Sequence, residues 1–129
     1  MSKYLGAVGI VVSDLEKSVA FYSKVLGMVE FRTIELPSMK EKIMVFEGSK
    51  SAALILMQYH DREIAREHQN AGKLVYYVDD TSATLTAVKN SGGVIDREAG
   101  THEEMGASII ALARDLDGHQ LELIQKPPK

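Results

Sequence analysis

A carboxylate stands in the middle of an apolar stretch near the carboxyl end of the chain. In "GHQLELIQ", residues 118–125, Leu121 and Leu123 share one face of a predicted strand and Glu122 lies on the other, because successive side chains alternate along a strand. A carboxylate on an enclosed face could move a proton or hold a cation. The alternative is a face exposed to water, on which Glu122 has no chemical role.

An internal repeat helps to place this residue. Residues 6–31 predict a strand, a helix and a strand, and residues 72–96 repeat that order. The stretch "SAALILMQ", residues 51–58, aligns in the same way with residues 118–125, and a further apolar strand precedes each of them. Each half therefore predicts one β-α-β-β-β module, and such a repeat indicates a duplicated structural unit.

The helix starts have recognisable signals. Ser13 and Glu16 fit a capping box at the start of the first helix, a pattern in which each residue satisfies a free backbone amide of the first turn. Asp79, Asp80 and Thr81 are candidates for the N-cap of the second helix.

The fold class predicted from this organisation is α+β. Tandem β-α-β-β-β modules form a cupped, largely antiparallel sheet with the helices outside. We expect one domain over residues 1–129, made of two repeats at about 5–58 and 72–125 that are joined by a short polar linker helix at 60–70.

The repeat aligns Ala7 with Lys73 and Ile55 with Glu122. If the two sheets curl toward one another, these four side chains converge on a concave pocket, the usual form of a small-molecule site. Strand alternation adds further residues on the same faces as candidates for substrate binding. They are Met57, Tyr59, Tyr77 and Gln120. His119 alternates away from the pocket and is expected to be exposed.

Composition excludes several function classes. The 129 residues contain no cysteine and carry a formal net charge of -3, so thiolate chemistry is excluded and nucleic acid is not an expected partner. The first residues lack the pattern of a signal peptide, and no apolar run reaches the length of a membrane span. We therefore expect a cytoplasmic protein without a membrane partner.

Three stretches resemble a known family. The pattern D-L-x-x-S-x-x-F-Y-x-x-x-L-G lies within residues 12–28, D-x-D-G-x-x-x-E-L-I lies within 113–125, and "SGGVIDREAG" spans 91–100. Together they resemble the vicinal-oxygen-chelate superfamily, which includes glyoxalase I, extradiol dioxygenases and bleomycin-resistance proteins, and they are most similar to bacterial glyoxalase I. The resemblance covers nearly all of residues 5–125 and implies a small-molecule ligand and a homodimer.

The resemblance also implies four metal-ligand positions, at Ala7, Ile55, Lys73 and Glu122. Ala7 and Ile55 have no donor atom, and the Lys73 ammonium repels a cation. One carboxylate does not hold a catalytic divalent metal. We therefore predict no cofactor, with a divalent metal as the disfavoured alternative, and we expect glyoxalase I activity itself to be absent or very low.

The two remaining polar residues suggest a different chemistry. Lys73 could stabilise a developing enediolate oxygen, and Glu122 could act as acid or base. The alternative is a salt bridge that fills an unused site. Three function classes stay open: a glyoxalase-like lyase or isomerase, a metal-free binding or sequestration protein of the bleomycin-resistance type, and a structural or regulatory protein with an inactive site.

Other histidines have weaker claims. His102 lies in "REAGTHEEMG", which the resemblance places near the bound ligand, so it is a further substrate-binding candidate, although an ordinary solvated loop is the alternative. His60 and Glu63 form an H-x-x-E pattern on the predicted linker helix, where a solvated helix face is the simpler interpretation.

Overall fold

The computed structural model describes residues 4–69 and 72–128. The chain divides into two compact units, residues 1–70 and 71–129. The first unit contains β1 (Ala7–Val11), α1 (Leu15–Leu26), β2 (Val29–Glu35), β3 (Met39–Val45), β4 (Ala53–Tyr59) and α2 (Arg62–Glu67). The second contains β5 (Lys73–Tyr77), α3 (Thr81–Asn90), β6 (Val94–Thr101), a 3-10 turn (Glu103–Met105), β7 (Ile109–Arg114) and β8 (Gln120–Gln125).

The predicted α+β class and its repeated β-α-β-β-β order are confirmed. The first sheet has the strand order β1-β4-β3-β2 and the second has β5-β8-β7-β6. In each sheet the first pair is parallel and the other two are antiparallel. The linker helix is shorter than predicted, and Asn70, the last residue of the prediction, lies outside the described residues.

The strand registers agree with the sequence alignment of the two halves. Ala7 pairs with Ala53 across β1 and β4, and Lys73 pairs with Gln120 across β5 and β8. Two residues further along, on the same face, Val75 pairs with Glu122. Because a slip of one residue turns every side chain to the other face, these registers fix which residues share a face within each sheet.

The helix starts differ in one respect from the sequence prediction. The N-cap of α1 is Asp14, whose carboxylate accepts from the backbone N–H of Lys17, so the predicted capping box led by Ser13 is wrong. The N-cap of α3 is Asp80, whose carboxylate accepts from Ala83 N–H. Asp14 and Asp80 are repeat counterparts, which shows that the same device starts both helices.

A glutamine from the last strand of each unit completes the helix start. Gln58 Oε1 accepts from Leu15 N–H at 2.8 Å, and Gln125 Oε1 accepts from Thr81 N–H at 2.9 Å. The first amides of a helix have no partner inside the helix. Each glutamine therefore supplies one missing acceptor and ties its helix to its sheet.

The core of each unit lies between its helix and one face of its sheet. Leu54 and Leu56 on β4 are buried under α1, and Leu121 and Leu123 on β8 are buried under α3. This layering corrects the expectation for His119, which is only 5% exposed. His119 does alternate away from the open face, but that direction leads to the helix layer and not to water.

The buried side of the second unit contains further polar groups beside His119. Asp115 Oδ1 accepts from the backbone amides of Asp117 and His119, each at 2.9 Å, and so closes the turn before β8. Burial, together with the charge of Asp115, raises the pKa of Tyr76 far above its ordinary value. Tyr76 is therefore a neutral phenol at physiological pH. Among the described residues, no helix is long and apolar enough to cross a membrane.

Candidate functional site

The second unit brings Lys73 and Glu122 together. The two residues lie on the adjacent parallel strands β5 and β8, and Lys73 Nζ donates to Glu122 Oε1 at 2.5 Å. The Lys73 side chain is 52% exposed, whereas that of Glu122 is 14% exposed. The ion pair predicted from the repeat is therefore present, although a chemical role for it stays a prediction.

These two residues belong to the face of the second sheet that α3 does not cover, here called the open face. Leu121 and Leu123 occupy the opposite face and are fully buried. The register places the following residues on the open face: Lys73, Val75, Tyr77, Gln120, Glu122, Ile124, Leu112 and Arg97. The open face thus combines apolar side chains with a few charged groups, as small-molecule sites do.

Three of the predicted substrate-binding residues lie in this second unit. Tyr77 is 65% exposed, and the Lys126 ammonium lies 4.7 Å from the centre of its ring. Gln120 is half-buried on the strand that carries Glu122. His102 is half-buried in the segment that follows β6, where its Nε2 lies 3.0 Å from Arg97 Nη1.

The other two, Met57 and Tyr59, lie on β4 of the first unit and are half-buried. A Cβ built on Gly9 would be 3.1 Å from Met57 Cε, so a larger residue at position 9 would displace the end of the Met57 side chain by a few tenths of an ångström. Tyr59 packs against His68, with their ring centres 5.2 Å apart. The structure gives each of these residues a local neighbour, and their contact with a ligand stays a prediction.

The residues at the four positions implied for metal ligands do not fit a divalent cation. Ala7 and Ile55 carry no donor atom, and Lys73 presents an ammonium that already occupies one oxygen of Glu122. Across residues 4–69 and 72–128, no group of three or more histidine, cysteine, aspartate or glutamate side chains is placed to hold a metal. No chemical step is therefore assigned to a metal.

The sequence interpretation did not select Arg97 and Arg114. The pairing between β6 and β7 is irregular between Ile95 and Arg97, and again between Arg97 and Gly100. Such bulges break the strict alternation on which a face assignment from sequence depends. Asp96, inside the first irregularity, accepts from Arg114 Nε at 2.7 Å. The only signal in the sequence was the pair of oppositely charged neighbours Asp96 and Arg97, and this pair alone did not reveal the bulge.

The histidines near the end of the first unit show no sign of a metal site. His60 is exposed, and Glu63 pairs with Arg66 on α2. His68 Nδ1 lies 3.0 Å from the carbonyl oxygen of Ile64. A shallow surface cleft in this unit is lined by Asp14, Leu15, Glu16, Lys40, Gln58 and His60. The solvated interpretation of the H-x-x-E pattern is consistent with these contacts.

Comparisons with known proteins agree on one family. Residues 4–123 match the Glyoxalase/Bleomycin resistance protein/Dioxygenase superfamily. The chain is 40% identical to the lactoylglutathione lyase of Haemophilus influenzae over 117 residues, which covers 88% of this chain and 86% of that protein. It is 36% identical over 118 residues to the lactoylglutathione lyase of Salmonella typhimurium, covering 88% and 86% respectively.

Solved structures show the same fold. Glyoxalase I from Zea mays superimposes with a TM-score of 0.79 at 25% identity, covering 99% of this chain and 46% of the maize chain, so this chain spans about half of that protein. TnmS3, an antibiotic binding protein from Streptomyces, superimposes with a TM-score of 0.73 at 19% identity, covering 98% of each chain. At that identity the likeness to TnmS3 concerns the fold alone.

Proposed function

Because the chain belongs to the glyoxalase/bleomycin resistance protein/dioxygenase superfamily, we propose that it is a glyoxalase-like lyase or isomerase that acts on a small carbonyl compound. In this proposal Lys73 and Glu122 act as an electrostatic and acid–base pair at positions implied for metal ligands. The observation that carries the proposal is the contact between Lys73 Nζ and Glu122 Oε1 on the open face.

The proposed reaction transfers one proton between neighbouring carbons. Glu122, as a carboxylate, takes the proton from a hydroxyl-bearing carbon beside a carbonyl group, and the electron pair moves onto the carbonyl oxygen to form an enediolate. The Lys73 ammonium stabilises that negative oxygen. Glu122 then returns the proton to the former carbonyl carbon, while the hydroxyl proton of the neighbouring carbon passes to the former carbonyl oxygen, so that the neighbouring carbon becomes the new carbonyl and the Glu122 carboxylate is restored. No oxidant, reductant or second reactant is needed.

Exposure supports this division of roles. Glu122 is 14% exposed, so its carboxylate has a defined position on the sheet, whereas the half-exposed Lys73 can turn its ammonium from Glu122 toward a substrate oxygen. The relatives named lactoylglutathione lyase support a lyase-like class. We expect glyoxalase I activity itself to be very low, since one lysine is a weaker electrophile than a divalent metal.

Proton exchange tests the proposal directly. Dihydroxyacetone is incubated in D2O with protein treated with EDTA, and loss of its CH2 proton signal is followed by NMR. We expect exchange at least tenfold above the protein-free rate, with Lys73→Met and Glu122→Gln each reducing it at least tenfold. Lys89→Met is the matched control, because Lys89 is an exposed lysine on α3, the helix that covers the opposite face.

Three results would reject the proposal. The first is exchange no faster than the protein-free rate with folded wild-type protein. The second is exchange that Lys73→Met and Glu122→Gln leave unchanged. A rate that appears only after zinc or nickel is added would also reject it, because the pair would then not replace the metal. Conversion of the methylglyoxal–glutathione adduct is measured in the same samples and is expected to stay near background.

A metal-free binding protein is the second candidate function. It is favoured by the apolar residues beside the pair, since Val75 is 46% and Tyr77 is 65% exposed. Ala7 and Ile55 add apolar side chains to the first unit where relatives of the glyoxalase type would need metal ligands. Binding of a small molecule without any proton exchange in the NMR assay would favour this candidate over the isomerase.

We also propose that the protein is a homodimer, as the resemblance implies. Light scattering coupled to size-exclusion chromatography is expected to give twice the chain mass of 14.2 kDa. A mass of one chain at 100 µM protein would contradict it.

A further inference from the structure

We propose that Arg97, positioned by His102, is an anion-binding group on the open face and that the natural ligand carries a carboxylate next to its reacting carbonyl. The assignment of that carbonyl rests on the proposed function, whereas the binding of the carboxylate does not. Neither the family match nor the names of the relatives assign a role to Arg97.

The register places Arg97 in the same cross-strand row as Glu122. Arg97 pairs with Leu112 across β6 and β7, and Leu112 pairs with Glu122 across β7 and β8. Two strand spacings separate the Cα atoms of Arg97 and Glu122 by about 10 Å. An arginine side chain is long enough to bring its guanidinium toward the middle of such a row, so one small molecule can contact both head groups.

The irregular pairing of β6 explains why this arginine lies on the open face. Ile95 pairs with Ala113, which is fully buried on the helix side. Strict alternation would then place Arg97 on the helix side as well. The irregularity at Asp96 shifts the register by one residue and places Arg97 opposite Leu112 on the open face. Bulges commonly re-aim side chains at functional sites.

Arg97 differs from the neighbouring cations in its partners. Lys73 is paired with Glu122, and Arg114 donates to Asp96 and to the carbonyl oxygen of Gly118. Within residues 72–128, the part of this unit that the structure describes, no carboxylate lies within ion-pair distance of the Arg97 guanidinium. An exposed guanidinium of this kind keeps its charge available for an anion.

His102 holds the guanidinium without neutralising it. A guanidinium can only donate hydrogen bonds, so His102 Nε2 is the acceptor in the 3.0 Å contact with Arg97 Nη1. One of the five N–H groups of Arg97 is used in this way, and the others form the planar fork that binds a carboxylate through two parallel hydrogen bonds. His102 is therefore a positioning residue for Arg97.

The chemistry of the row defines the ligand class. A carboxylate on Arg97 and a carbonyl carbon near Lys73 and Glu122 together describe a short 2-oxo acid. Hydroxypyruvate has this arrangement and can undergo the proposed proton transfer to tartronate semialdehyde. Dihydroxyacetone has a hydroxymethyl group in place of the carboxylate, so it is a neutral comparison of nearly the same size.

The test measures binding of these two compounds by NMR titration of isotope-labelled protein. We expect hydroxypyruvate to shift the Arg97 side-chain signal and to bind wild type at least tenfold more tightly than dihydroxyacetone. Arg97→Gln is expected to weaken hydroxypyruvate binding at least tenfold without changing dihydroxyacetone binding. Lys89→Gln removes the same charge from the opposite layer of this unit and is expected to change neither.

Further variants test the positioning role. His102→Asn keeps an acceptor for Arg97 and is expected to retain most of the hydroxypyruvate affinity. His102→Leu removes the acceptor, and its loss of binding free energy for hydroxypyruvate is expected to be at least half of the loss in Arg97→Gln. If the role of His102 were merely structural, its replacement would weaken the binding of hydroxypyruvate and of dihydroxyacetone equally. Dihydroxyacetone binding therefore reports in each variant that the face is intact.

The outcomes separate this inference from the proposed function. Equal hydroxypyruvate affinity in wild type and Arg97→Gln, or no hydroxypyruvate binding by wild type at 20 mM, overturns the inference whatever the exchange rates are. Arg97-dependent binding supports it, even if proton exchange proves to be independent of Lys73 and Glu122, in which case only the catalytic proposal fails.

Discussion

The two units share one plan, but the ion pairs of Lys42 in the first unit and of Lys73 in the second lie on opposite sides of the sheet. In the first unit a lysine, Lys42, is buried on the helix side of β3, and the counterparts of Lys73 and Glu122 on the other side are the apolar residues Ala7 and Ile55. In the second unit the counterpart of Lys42 is Ala111, which is fully buried, and the ion pair of Lys73 and Glu122 lies on the open face. The duplicated fold therefore accepts an ion pair on either face.

The surroundings of Lys42 show what a buried charge requires. Its side chain is 11% exposed, and Nζ lies 3.2 Å from Glu30 and 3.4 Å from Glu16. Burial alone would lower the pKa of Lys42, but the hydrogen bond to Glu30 and the charges of Glu30 and Glu16 raise it above 10.5. The charge of Lys42 is thus stabilised by two partners, and its role is structural. The half-exposed Lys73 keeps its contact with water and has one carboxylate partner, Glu122.

The largest expected effect comes from moving the buried lysine to the second unit. In the strand registers the counterpart of Glu30 is Ile95, and the counterpart of Glu16 in the sequence repeat is Ser82. Asp96, beside Ile95, is paired with Arg114, so a lysine at position 111 would lack the two carboxylates that Lys42 has. We expect Ala111→Lys to lower the free energy of unfolding by about 3 kcal/mol more than Ala111→Met, because an unpaired buried charge costs far more than extra volume. Urea unfolding measures the difference.

A compensating substitution keeps this experiment informative even if Ala111→Lys fails to fold. The double variant Ala111→Lys/Ile95→Glu restores a carboxylate at the position of Glu30 and is expected to be more stable than Ala111→Lys alone. Equal stability of Ala111→Lys and Ala111→Met would show that the second unit does not need a partner for a buried lysine.

The helix-start glutamines should behave alike in both units. Gln58→Leu and Gln125→Leu each leave a partly buried backbone amide without its acceptor, which costs about 1–2 kcal/mol. Thermal and urea unfolding are expected to show losses of similar size, with Gln69→Leu, at an exposed position, as the control. A loss confined to one unit would mean that the two contacts are equivalent in geometry but not in energy.

The Lys73–Glu122 pair should contribute less to stability. Since Lys73 is half-exposed, a coupling free energy of about 0.5–1 kcal/mol is expected in a double-mutant cycle. Lys73→Met alone should be more destabilising than Lys73→Met/Glu122→Gln, in which no carboxylate is left unpaired. Simple addition of the two single effects would show that the contact is not an energetic pair.

The smallest effect concerns the pH dependence of the first unit. The hydrogen bond from Thr33 and the contact with Lys42 lower the pKa of Glu30 below 4.5. A lowered carboxyl pKa stabilises the folded state above pH 4.5, and that contribution is lost as the pH falls through the folded-state pKa. The stability difference between wild type and Glu30→Gln should therefore shrink between about pH 5 and pH 3.

Glu30 is partly exposed, so this difference is expected to stay below about 1 kcal/mol. At the other end of the range, the raised pKa of Lys42 adds stability that is lost only as the pH rises through its folded-state value, above 10.5. Denaturant unfolding at intervals of half a pH unit measures the change in stability in both the acid and the alkaline range. A difference that does not change below pH 5 would mean that Glu30 titrates normally in the folded protein.

The sequence by itself determined the repeated β-α-β-β-β order, the strand faces near Lys73 and Glu122, and their pairing. These features followed from local periodicity and from the alignment of the two halves, both of which can be seen in the amino-acid sequence alone. Gly27, at the C-cap of α1, and Gly92, just after the C-cap of α3, each adopt the left-handed backbone conformation that favours glycine.

Only the tertiary structure decided where a strand pairing becomes irregular and which side of each sheet is covered by a helix. The bulge at Asp96 turns Arg97 to the open face, and no periodic pattern reveals where such a bulge falls. Lys42 and His119 are buried although their residue types favour solvent, because each lies on the helix side of a sheet. Gln58 and Gln125 meet helix starts more than 40 residues away in the chain, a contact that folding alone creates.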